Sequence, residues 1–127
     1  MSGASEALWD NLTTAAPLPG GWWPLRLPDG VTLPAGSYQR ISTVRPVTHS
    51  GGTEWAARRY QLAIYSERYA EGVDLARTVA AALNGVRETW DGWDVSAMLR
   101  DEAEDIDPEP RGLFRQRVDV MLGTEAP

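Results

Sequence analysis

From Glu67 to Val86, apolar residues recur every three or four positions, and Tyr69, Val73, Ala76, Ala80 and Leu83 would share one helical face. This spacing predicts a long helix over about 67–86. Ser66 is placed to cap its start, and Asn84-Gly85 supplies the left-handed residue that closes many helices. A shorter helix is predicted from Ser5 to Ala16, with Ser5 as N-cap and Leu8 and Leu12 one turn apart on one face.

Elsewhere the period is two. Ser37 to Val44 alternates, with Gln39, Ile41 and Thr43 on one side and Tyr38 opposite, so it reads as a strand. Val47 to Thr53 carries Gly51-Gly52 and reads as a turn into a second strand, about Trp55 to Ser66. There Tyr60, Leu62 and Ile64 share a face and Arg59, Gln61 and Tyr65 mark the other. Between the first helix and these strands, Pro17 to Pro34 holds five prolines, which leaves room only for loop and an edge strand within Trp22 to Pro28. Later, Trp90-Asp91-Gly92-Trp93 is a turn signal, and Val95 to Leu99 and Leu113 to Leu122 read as strands flanking an acidic loop. The fold class predicted is α+β: a mostly antiparallel sheet of about four to five strands packed with two helices, one long and one short and N-terminal. A single domain over residues 1–127 is expected, with flexible ends at 1–5 and 123–127.

Composition narrows the function. A length of 127 residues suits one core, and the apolar and charged fractions, 43% and 24%, are those of an ordinary globular domain. No apolar stretch approaches the roughly 20 residues of a membrane-spanning helix, and the N-terminus lacks the pattern of a secretory signal. An intracellular protein is expected. There is no cysteine, which excludes disulfides, thiolate metal sites and cysteine nucleophiles. The net charge of −6 has the wrong sign for gripping nucleic acid through its phosphates. Six tryptophans are many for so small a core, and some are expected to face partners.

Catalytic chemistry finds no pattern to attach to. His49 is the only histidine, falls in the predicted hairpin turn and has no motif partner, and no G-x-S-x-G elbow or phosphate-binding glycine loop is present. Asp101 to Glu109 packs six carboxylates into nine residues but lacks the glycine and the terminal glutamate of a calcium loop, so it reads as a solvated acidic loop rather than a metal site. The expectation is therefore no enzyme, no cofactor and no metal. A small hydrolase or metal-dependent enzyme using His49 and the acidic loop is the remote alternative. Arg40, Arg45, Arg58, Arg59, Arg115 and Arg117 lie on or beside strands, where they can pair with carboxylates of the same chain or of another subunit.

One family pattern is recognisable. Trp23-Pro24-Leu25-Arg26-Leu27-Pro28-Asp29-Gly30-Val31-Thr32-Leu33-Pro34-Ala35 followed by Tyr38-Gln39-Arg40-Ile41-Ser42 resembles the tail-completion proteins of long-tailed bacteriophages, the tail terminators or tail-to-head joining proteins. The resemblance continues through Ala63-Ile64-Tyr65-Ser66, Leu83-Asn84-Gly85 and Gly112-Leu113-Phe114-Arg115, and spans about residues 6–122. The Gly20-Gly21-Trp22-Trp23 entry and a short first helix depart from it. It implies a subunit that joins copies of itself in a ring, usually of six, at the head-proximal end of the tail. The implied partners are the tail-tube protein and a head-side connector or stopper protein, with DNA passing through the ring without specific binding. The implied location is the virion, reached from the host cytoplasm during assembly. Another virion ring component, such as a head-closure or tail-tube subunit, is the alternative. Candidate interface or lumen residues are Trp22, Trp23, His49, Asp101, Glu102, Glu104, Asp105 and Asp107.

Overall fold

The computed structural model describes residues 3–45, 55–107 and 112–126, the side chain of Asp107 excepted. The elements in chain order are α1 (Ala4–Ala15), β1 (Trp22–Pro24), β2 (Ala35–Val44), β3 (Trp55–Ser66), α2 (Tyr69–Leu83), β4 (Arg87–Trp90), β5 (Trp93–Asp107) and β6 (Leu113–Glu125). The strands make one six-stranded sheet in the order β1-β2-β3-β6-β5-β4, curled into a half-barrel. Both helices pack on one of its faces.

This corrects the predicted fold class, an α+β fold with a mostly antiparallel sheet of about four to five strands. The chain is mostly β, and the sheet is mixed because β1 runs parallel to β2, pairing Trp22 with Gly36 and Pro24 with Tyr38. The parallel pair arises because the proline-rich segment Leu25 to Pro34 carries the chain back to the start of β2 instead of turning as a hairpin. β4 was not foreseen. It pairs with β5 through the two-residue turn Asp91-Gly92, whose φ values of 49° and 86° are those that a tight hairpin requires.

The acidic segment is also not a loop. Asp101 to Asp107 continues β5, antiparallel to β6, after a register shift between Leu99 and Asp101. Aspartate and glutamate are poor strand formers, but Ala103, Glu104 and Asp105 stand opposite Arg117, Gln116 and Arg115, and such cross-strand pairs outweigh intrinsic preference.

The core lies between the sheet and the helices. Tyr60, Leu62 and Ile64 of β3, Val118, Val120 and Leu122 of β6 and Val95 and Ala97 of β5 meet Leu8 and Leu12 of α1 and Val79 and Leu83 of α2. The α1 face is the predicted one, although Ser5 lies inside the helix and bonds Tyr60 Oη at 2.6 Å rather than capping it. α2 is shorter than predicted and rotated: its buried residues are Gly72, Ala76, Val79 and Leu83, while Tyr69 is exposed. Ser66 is not its cap either, because the Oγ donates to the Arg68 carbonyl at 2.8 Å while Arg68 occupies the cap position. At the far end of the core, Arg58 is buried, donating to Thr124 Oγ1 at 3.1 Å and lying 5.5 Å from the Trp93 ring centre.

Candidate interaction surfaces

The tryptophans divide into two sets. Trp22, Trp90 and Trp93 are buried, whereas Trp9, Trp23 and Trp55 are exposed. Trp22, one of the candidate interface residues, is 4% exposed, and its Nε1 donates to the Ala16 carbonyl at 2.9 Å. Its ring lies against Gly36, where a Cβ would approach ring atoms to 2.5 Å, so only glycine fits there. Trp23 points outward, with its Nε1 on the Gly20 carbonyl at 2.7 Å. Trp9 borders the same region and donates to the Trp22 carbonyl at 2.9 Å. His49 lies outside the described residues.

The acidic candidates share β5 but face opposite ways. Asp105 lies on the helix-free face, where Arg115 grips it in bidentate fashion through Nε at 2.8 Å and Nη2 at 2.6 Å, with Arg117 at 3.8 Å. The Arg115 bond holds the Asp105 carboxyl below its usual pKa and raises that of Arg115. Glu104 lies on the other face and accepts from Tyr69 Oη at 2.9 and 3.0 Å and from Gln116 Nε2 at 3.1 Å. Asp101 and Glu102 are exposed. Asp107 pairs with Leu113 at the end of the ladder. The helix-free face therefore carries a charge lattice, extended on β3 and β6 by Arg59 and Asp119 at 2.6 Å.

These groups do not converge on a reaction centre. Among the described residues, no group of three or more His, Cys, Asp or Glu is placed to hold a metal ion. The grooves are open. One of about 480 Å³ runs between α2 and β5 past Val73, Ala80, Leu99 and Glu102, and one of about 420 Å³ lies beside Trp55, Arg87 and Ser96. Their mixed linings offer contact rather than an enclosed substrate site.

Sequence reasoning placed an edge strand at β1 but passed over the uncovered halves of β2 and β5. β1 covers β2 only from Gly36 to Tyr38, so among the described residues Gln39 to Val44 has no strand on its outer side. β4 covers β5 only from Trp93 to Ser96, after which the backbone of Gly85 and Val86 bonds Ala97 and Asn84 Oδ1 accepts from the Leu99 amide; among the described residues, Arg100 to Asp107 has no neighbouring strand on that side. The signal that could have revealed this was length: β2 and β5 both outrun the short strands beside them.

Comparison with protein-family models and with curated proteins gives no match. Among solved structures, the chain is similar to one in the virion of a native gene transfer agent particle, with a TM-score of 0.65 and 15% identity. The two share a fold. The likeness covers 97% of this chain and 87% of that one, so it includes both helices and the whole sheet rather than a local motif.

Proposed function

We propose that this chain is a non-enzymatic structural subunit of a phage or phage-like particle, and that it forms a ring at the head-proximal end of the tail. The observation that carries this reading is the fold likeness, over nearly the whole chain, to a component of a virion. The tail-completion pattern in Trp23 to Ala35 and Tyr38 to Ser42 supports the finer placement: the subunit ends the tail tube and meets the head-side connector. In such a ring the chain's net charge of −6 would disfavour tight binding to the phosphates of passing DNA, which favours sliding.

Electron microscopy of particles carrying a labelled copy of this chain tests the placement. Label confined to the head–tail junction is expected. Label along the tube or within the head neck would favour a tube or head-closure subunit, and absence from particles would overturn the structural role. Hydrolytic activity lost in His49→Ala would restore the enzymatic alternative.

A further inference from the structure

The two open strand edges carry opposite charge. From Val31 to Thr53 there is no acidic residue, and the open end of β2 holds Arg40, followed by Arg45 just beyond it, both exposed. The pKa of Arg58 beside them is lowered, first by burial and then by the charges of Arg45 and Arg40. From Arg100 to Asp107, by contrast, there are five carboxylates and a single base, Arg100. Asp105 and Glu104 are held by side chains of neighbouring elements, whereas Asp101 and Glu102 are exposed on the open edge, where Asp101 Oδ1 accepts from the Glu102 amide at 2.9 Å.

Both edges also expose apolar side chains. Ile41 and Val44 do so on β2, and Ile106 on β5, with Val44 at 60% and Ile106 at 59% exposure. An unpaired strand edge is a template for another strand. Like charges oppose pairing of β2 with β2 or β5 with β5 between copies, whereas β2 with β5 is attractive.

We infer that the open half of β2 in one copy pairs antiparallel with the open half of β5 in the next, extending the sheet from subunit to subunit; this rests on the ring reading above. The contact joins two different patches and is therefore heterologous, the type that closes into rings. Directions agree: β2 and β5 run oppositely within the sheet, so a rotation about an axis along the strands sets them antiparallel. The open halves sit at opposite ends of the sheet, and bringing them together displaces the second copy by about five residues, or ~16 Å. Four strands, β2, β3, β6 and β5, span ~19 Å, so closure needs a strand tilt of ~40°, within the range of closed barrels. β1 and β4 then flank each joint instead of blocking it.

Charge reversal tests the pairing in the full-length protein. Under conditions where the parent assembles, Arg40→Glu/Arg45→Glu and Asp101→Lys/Glu102→Lys should each associate at least tenfold more weakly, with unchanged circular dichroism. Mixed in equal amounts they should assemble again, because each acidic edge then meets a basic one. Ser42→Cys/Ala103→Cys gives a second readout in a chain that otherwise lacks cysteine. Within one chain those positions lie three strand spacings apart across the sheet and four residues apart along it, together ~20 Å, so a disulfide between them must join two copies. Single variants that assemble like the parent, with no cross-link, overturn the edge pairing and leave the ring intact. Stronger self-association of Asp101→Lys/Glu102→Lys also overturns it, by showing that the acidic edge only guards against association. A parent that stays monomeric, alone and with tail tubes, overturns the ring reading as well.

Discussion

Gly36 and Trp22 show how far one contact can fix a residue. The ring of Trp22 fills the space that any Cβ at position 36 would need, and β1 is held against β2 at that point. Gly36→Ala should lower stability by about 1–3 kcal/mol through overpacking, with a lower melting temperature in circular dichroism; an unchanged melt would show that Trp22 moves aside freely. Asp105 is a second case. Its carboxyl is held below the usual carboxylate range by Arg115, so the pair stabilises the fold above the unfolded-state pKa, about 3.9, and that contribution is lost as pH falls through the folded value. Because both side chains are partly exposed, Asp105→Asn should cost only about 0.5–1 kcal/mol near pH 7. The difference from the parent should shrink in melts as pH falls below about 3.9 and vanish once the folded-state carboxyl is protonated. A difference that persists there would mean that packing, not charge, is what Asp105 supplies.

At the scale of elements, helices were easier to read than strands. The α1 stripe of Leu8 and Leu12 is buried as its spacing implied, and α2 exists where the apolar period lies, but the buried side of α2 turns toward Val79 because Tyr69 is drawn out to Glu104 and Phe114. Val79→Asp or Leu83→Asp should therefore unfold the domain, at a cost of several kcal/mol for an unpaired buried charge. Glu71→Asp should barely shift the denaturation midpoint. A folded Val79→Asp protein would refute the assigned face. The strands that were missed had weak local signals. β4 is short and mostly polar, and the charged half of β5 is a strand only because β6 supplies Arg115 and Gln116 across the ladder, a partner that no local pattern reveals. The candidate site was legible as residue types, tryptophans and carboxylates, but not as geometry. Burial of Trp22 and the opposed facing of Glu104 and Asp105 follow from tertiary packing and register.

For the whole molecule, a two-layer fold leaves one sheet face free of helices, charged and open, and ends the sheet in two unequal edges of opposite sign. These are the surfaces that we propose meet copies of the chain, and among the described residues no three or more His, Cys, Asp or Glu gather to hold a metal ion. Its central role, as a proposed ring subunit of a virion tail, is tested most directly by the mass of the complex it forms. Native mass spectrometry of the full-length chain, alone and released from tail tubes, should give one closed species. Six chains of 14.0 kDa make about 84 kDa. A monomer under both conditions, or an open-ended ladder of masses with no preferred size, would contradict the account.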